Sequence, residues 1–166
     1  MSALNYIEAP SHDMPERGRI SVFLAGGITD CPDWQAEAKA MFEDSAVAGG
    51  VTLFNPRRAT YEHTSMAAAQ QVRWEYDRLR QAQVILFWFP KETLCPITLY
   101  ELGAWSMTGK PMVIGAHDDY ARRMDVVLQT GFVRPEVNIC THLLAVVDRT
   151  CRIVERLSAY PSLTNP

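Results

Sequence analysis

The chain has 166 residues, 48% of them hydrophobic and 21% charged, which suits one globular domain with a sizeable core and no second domain. A net charge of −3 and a pI of about 5.8 advertise no basic surface for a nucleic-acid polymer or an anionic membrane. The four cysteines form no CxxC pair and the four histidines no HExxH, so neither zinc nor another cofactor is expected, and a reducing cytoplasm is the expected setting.

Residues 1–18 read as a flexible arm, because Pro10, Pro15 and Gly18 punctuate them and no apolar period runs through them. Acids and prolines also stand where a secretory leader needs an apolar run. A single domain is expected over 19–160, with 161–166 as a tail. "ISVFLAGG" (20–27) predicts a buried strand ending in a glycine turn, and an amphipathic helix follows over 33–44. "VTLFNP" predicts a second strand stopped by Pro56, then a polar loop and a helix over 66–83. "VILFWF" (84–89) is a third strand, far short of the roughly 20 apolar residues of a membrane span. After it come the helix "ITLYELGAWSMTG", the strand "KPMVIGA", the helix "YARRMDVVLQTG", a weak strand "VNIC" and a last helix over 143–157.

The strands are apolar runs without polar alternation, and helices separate them. That combination predicts a parallel sheet covered on both faces, a doubly wound α/β/α sandwich. In such sheets a ligand sits outside the carboxyl ends of the strands, where strand order reverses. The residues to watch are therefore those of "AGGITD", "FNPRR", "FPKETLCPITLYE" and "GAHDD". Gly26 and Gly27 make either a tight turn or a close approach to a ligand. Arg57 and Arg58 are either solvated or aimed at a ligand. Asp30 and Asp33 would repel a phosphate near the glycine turn, which favours a neutral nucleoside unless the arginines offset them.

Glu101 has two readings. With Thr98 it fits the S/T-x-x-E capping box of a helix N-terminus. Yet Gly103 follows, and glycine within a helix costs about 1 kcal/mol relative to alanine, which predicts that something approaches the backbone there. Glu75 and Asp77 are the other carboxylates of interest, since Trp74 beside Glu75 suggests that this helix edge turns inward. No GxSxG elbow is present, and Cys95 has no histidine near it in sequence.

Together, "VFLAGGITD", "FNPRR", "WEYDRLRQAQVILFWFP" and "PITLYELG" resemble, in order and spacing, the nucleoside 2-deoxyribosyltransferase-like family. The resemblance runs over about 20–129. It implies a flavodoxin-like three-layer α/β/α sandwich with a five-stranded parallel sheet. It also implies cleavage or exchange of the N-glycosidic bond of (deoxy)nucleosides or their 5′-monophosphates, with a free nucleobase as second partner. The glutamate of "ELG", here Glu101, corresponds to the family's nucleophile, and Glu75 is the match for its second acid, often an aspartate. Phe23 stands where well-studied relatives carry a tyrosine that holds the nucleophile. Gly27 stands where nucleotide-hydrolysing relatives place a phosphate-binding serine. The expected substrate contacts are Gly26, Gly27, Ile28, Asn55, Arg58, Pro96 and Asp125. A non-catalytic nucleotide-binding module is the reading from another class. Relatives form dimers or larger rings, and a homodimer is expected here, with Trp105, Met107, Met112 and Tyr120 as apolar surface beyond what one sandwich needs.

Overall fold

The computed structural model describes residues 3–60 and 62–160. Five parallel strands form one sheet: β1 (Asn5–Glu8), β2 (Ile20–Gly26), β3 (Val51–Asn55), β4 (Val84–Phe89) and β5 (Met112–Ala116), in the order β1-β3-β2-β4-β5. Every residue of β3, β4 and β5 is buried, as are the first six of β2. This two-sided burial is why these strands read as unbroken apolar runs.

Two helical layers cover the sheet. The helices α1 (Trp34–Glu43) and α5 (Leu143–Ala159) pack on one face through Trp34, Phe42, Val146 and Val154, with Val22, Leu24, Leu86 and Trp88 of the sheet beneath them. On the other face lie α2 (Ser65–Gln81), α3 (Pro96–Ser106) and α4 (Arg123–Val133), through Trp74, Leu79, Leu102 and Val126 against Phe23, Phe54, Phe87 and Ile114. Local signals set the helix starts. The Asp33 side chain accepts from the Ala36 amide at 3.0 Å and the Thr64 hydroxyl from the Ala67 amide at 3.1 Å, each satisfying an orphan donor of a first turn.

The fold class matches the sequence expectation, but the fifth strand is a different one. The segment read as an arm supplies β1, which pairs with β3 in the register Asn5↔Thr52 to Glu8↔Asn55. Its anchors are tertiary. Ile7 is buried, the Ala9 amide donates to Asn55 at 2.9 Å, and Trp74 and Arg78 of α2 donate to the Ser11 carbonyl at 2.7 and 3.0 Å. Four residues are too few for a period to be seen in the sequence. Conversely, "VNIC" contributes only a bridge between Gly115 and Cys140. The Asn138 carbonyl just upstream accepts from Arg149 of α5 instead of joining a ladder. Residues 161–166 lie outside the described residues, as does the expected tail. Among the described residues no helix is long and apolar enough to cross a membrane.

Removing residues 1–12 is expected to lower unfolding stability by about 2 kcal/mol or more, since burying Ile7 alone is worth about 1.5–3 kcal/mol. Chemical denaturation of the full chain and the truncated chain measures it. Equal midpoints and slopes would mean that the segment is the mobile arm its composition suggests.

Candidate active site

Strand order reverses between β2 and β4, since the chain passes from β2 to β3 on one side and places β4 on the other. A cavity of about 610 Å³ opens outside the carboxyl ends of these strands, as expected for a doubly wound sheet. Its volume is within the range of small-molecule sites. Gly26, Gly27, Ile28, Arg58, Pro96, Glu75 and Glu101 all line it. Asn55 and Asp125 do not. Asn55 is buried, and its side chain bonds to Glu8 and to the Arg57 backbone, so it shapes the loop after β3. Asp125 lies on α4, with its side chain exposed beside Arg122.

The glycine turn is dictated by packing. A Cβ on Gly26 would stand 2.4 Å from the Trp34 ring and 2.4 Å from the Trp88 carbonyl, and one on Gly27 would meet Thr93 and Cys95 within 3 Å. The Gly27 carbonyl accepts from the Trp34 indole at 2.8 Å and lies at the edge of bonding distance from Gln35 and Arg57. Arg57 is thereby spent on structure. It bonds Gln35 at 2.9 Å and the Pro32 carbonyl at 3.0 Å, and it pairs with Asp33 at 3.3 Å. Asp33 in turn caps α1, so neither charge of this pair is directed at a ligand.

Glu101 does not close a capping box. The helix α3 starts at Pro96, its cap is Cys95 in the left-handed region (φ 49°), and Glu101 falls in the second turn. Among the described residues no group donates a hydrogen bond to its carboxylate, and Phe23 lines the same cavity. Burial, and then the charge of Glu75, push its pKa up to about 8. Gly103 has open space where a Cβ would stand, so the expected close approach is not there.

Glu75 is supported where Glu101 is bare. Gln71, one turn earlier on α2, donates from Nε2 to Glu75 at 2.8 Å and to the Pro56 carbonyl at 2.7 Å, while its oxygen accepts from Arg58 Nε. Burial raises the Glu75 pKa, but the Gln71 bond and the Arg58 charge oppose it. The pair therefore holds its proton preferentially on Glu101 and its charge on Glu75, as two nearby carboxyls in a poorly solvated site must divide them. Asp77 points away, bonded to Arg73 at 2.8 Å on the exposed side of α2. Gln71 and His63 also line the cavity and were not singled out in the sequence. The signal for Gln71 was its i, i+4 spacing from Glu75, which puts both on one helix face.

Residues 19–120 match the family model described as nucleoside 2-deoxyribosyltransferase like, and the chain belongs to that family. No curated protein matches the chain closely enough to count as a relative. The family supports a role in glycosyl transfer or N-glycoside cleavage on small nucleoside-type substrates.

A carboxyl that titrates near 4.5 unfolded and near 8 folded binds a proton in the folded chain that the unfolded chain has released. Stability contributed at Glu101 therefore falls as pH rises from about 5 to 8. Glu101→Gln, which cannot ionise, is expected to gain on the wild type across that window, on the order of 1–2 kcal/mol after allowance for partial solvation. Thermal melts of both proteins at pH 5 and pH 8 measure the difference. A gap that stays constant with pH would place Glu101 in an ordinary carboxylate environment.

Proposed function

We propose that the protein cleaves or exchanges the N-glycosidic bond of (2-deoxy)nucleosides, with Glu101 as nucleophile and Glu75 as its proton-transferring partner. The observation that carries this reading is one cavity, at the switch point of the sheet, that holds two carboxyls sharing charge unequally. Displacement at an anomeric carbon develops oxocarbenium charge, which an adjacent carboxylate stabilises and traps as a glycosyl ester. The departing base needs a proton. In the free site Glu101 holds one, and its transfer to Glu75 leaves Glu101 as the attacking carboxylate and Glu75 as the general acid. Developing positive charge on the sugar favours that redistribution. A free base or a water molecule then resolves the ester, with Glu75 accepting the proton of the incoming group.

Arg58 and His63 line the same cavity and favour a second reading, a 5′-monophosphate N-glycosidase. Rates on matched deoxynucleosides and deoxynucleotides separate the two, since a phosphate site makes the nucleotide the faster substrate and a nucleoside site does not.

Incubation with a panel of deoxynucleosides and a free acceptor base, followed by chromatography, is expected to show base exchange or release. Glu101→Ala should reduce it by about three orders of magnitude. Because kcat/KM reports the free enzyme and the reactive pair must carry one shared proton, its pH profile should fall as that proton is lost, through about 8. Absence of any product across the panel, with ligands that still raise the melting temperature, would select a binding module.

A homodimer belongs to the same proposal, and of the residues expected on its surface Met107 is exposed. Met112 and Tyr120 are buried, and the Tyr120 hydroxyl bonds the Leu94 carbonyl at 2.7 Å. Most of the other exposed apolar side chains among the described residues lie on the α2–α4 layer, among them Met66, Val72, Tyr76, Ile97, Tyr100 and Phe132. Val72 and Ile97 also line the cavity, so a second copy seated on this layer would narrow its mouth. Sedimentation at micromolar concentration should show a species of twice 18.7 kDa. A fully active monomer would defeat the idea.

A further inference from the structure

The opposite end of the sheet carries a second cavity whose chemistry is the reverse of the first. It has a volume of about 520 Å³ and lies beside the amino end of the edge strand β5, between the segment 134–138 and the outer half of α5. Four guanidinium groups line it, those of Arg134, Arg149, Arg152 and Arg156, against one carboxylate, Glu136. In a chain of net charge −3 such a concentration is not a sample of the average surface.

The arginines are arranged by two separate devices. Arg134 is held in place, with its Nη1 donating to the Thr108 carbonyl at 3.0 Å and the Lys110 carbonyl at 3.3 Å while its Nε engages Glu136. Arg149 is anchored by the Asn138 carbonyl at 2.9 Å. Arg152 and Arg156 follow at helical spacings of three and four, which puts all three α5 arginines along one stripe. Among the described residues neither Arg152 nor Arg156 makes an ion pair, although Asp148 and Glu155 share the helix. Neither of those acids lines the cavity. Two fixed guanidinium groups and two uncommitted ones thus face a common space, with Val113, Val137 and Ile153 as an apolar floor.

Guanidinium forks match phosphate oxygens in geometry and charge, and several around one concavity select a ligand with several such oxygens. The volume and apolar floor leave room for an uncharged body beside them. We propose that this groove binds a small molecule carrying two or more linked phosphate groups, at a site separate from the carboxylate pair. The two cavities lie at opposite ends of the strands, so this binding does not depend on the catalytic reading of the first.

Calorimetric titration of the full chain with inorganic pyrophosphate and with ADP, at low and at moderate salt, tests it. Saturable binding that weakens with salt is expected for at least one of them. Tighter binding of ADP than of pyrophosphate would identify the nucleoside as the uncharged body, and the reverse would reduce the ligand to the phosphates alone. The double variant Arg152→Ala with Arg156→Ala should bind at least about tenfold more weakly. Both side chains are exposed, so the variant should keep the fold, and circular dichroism checks that. Replacing both by lysine should recover only part of the affinity, because the charge returns without the fork. Two results would overturn the proposal: no saturable binding of either probe at low salt, even where a single-stranded oligonucleotide binds, or equal binding by the double variant.

Discussion

Burial of the central strands on both faces is the constraint from which the other features follow. Every side chain of β4 and the first six of β2 are enclosed by helices, so no polar group can work from the middle of the sheet. Chemistry is confined to the strand ends, where backbone leaves the ladder and helices begin. The reversal of strand order between β2 and β4 then separates two loops at the carboxyl end and opens the cavity between them.

Within that cavity the two carboxyls differ because their supports differ. Glu75 stands on a helix face that also presents Gln71, and through Gln71 it is linked to Arg58 and to the loop after β3. Glu101 stands on α3 in the same cavity, with Phe23 on its wall and no hydrogen bond to its carboxylate among the described residues. The same desolvation acts on both, and only one is compensated. In the proposed mechanism that inequality, rather than the presence of two acids, supplies the proton to be moved.

The turn after β2 shows how rigidly this end is built. The Trp34 indole and the Trp88 backbone carbonyl occupy the volume that a side chain at Gly26 would need. The Gly27 carbonyl is tied to α1 through Trp34, and Arg57 ties the loop after β3 to the segment just before α1. Cys95 and Asp30 hold left-handed backbone conformations without being glycine, one lining the cavity and the other following the lining residue Thr29. Such conformations cost free energy and persist where surrounding packing over-determines them.

The periodicities of the chain were sufficient for the sandwich, its parallel sheet and the end at which the cavity with Glu75 and Glu101 opens. Apolar runs without alternation have one physical explanation in a chain that alternates strand and helix, and Glu101, Glu75 and the glycine pair could be named from motif and position. What depended on distant partners was not legible. The strand Asn5–Glu8 exists because β3 offers it hydrogen bonds and α2 holds the segment after it, neither of which leaves a period in four residues. Thr98 and Glu101 had the spacing of a capping box, but Pro96 began the helix earlier and turned the glutamate into the cavity. The assignment of Arg57 to structure and Arg58 to the cavity wall, like the convergence of Arg134 with the arginines of α5, was decided by packing alone. Local sequence specifies which backbone forms and which face is apolar; the charge a side chain meets, and hence its chemistry, is set by residues that only the folded chain brings within a few ångströms.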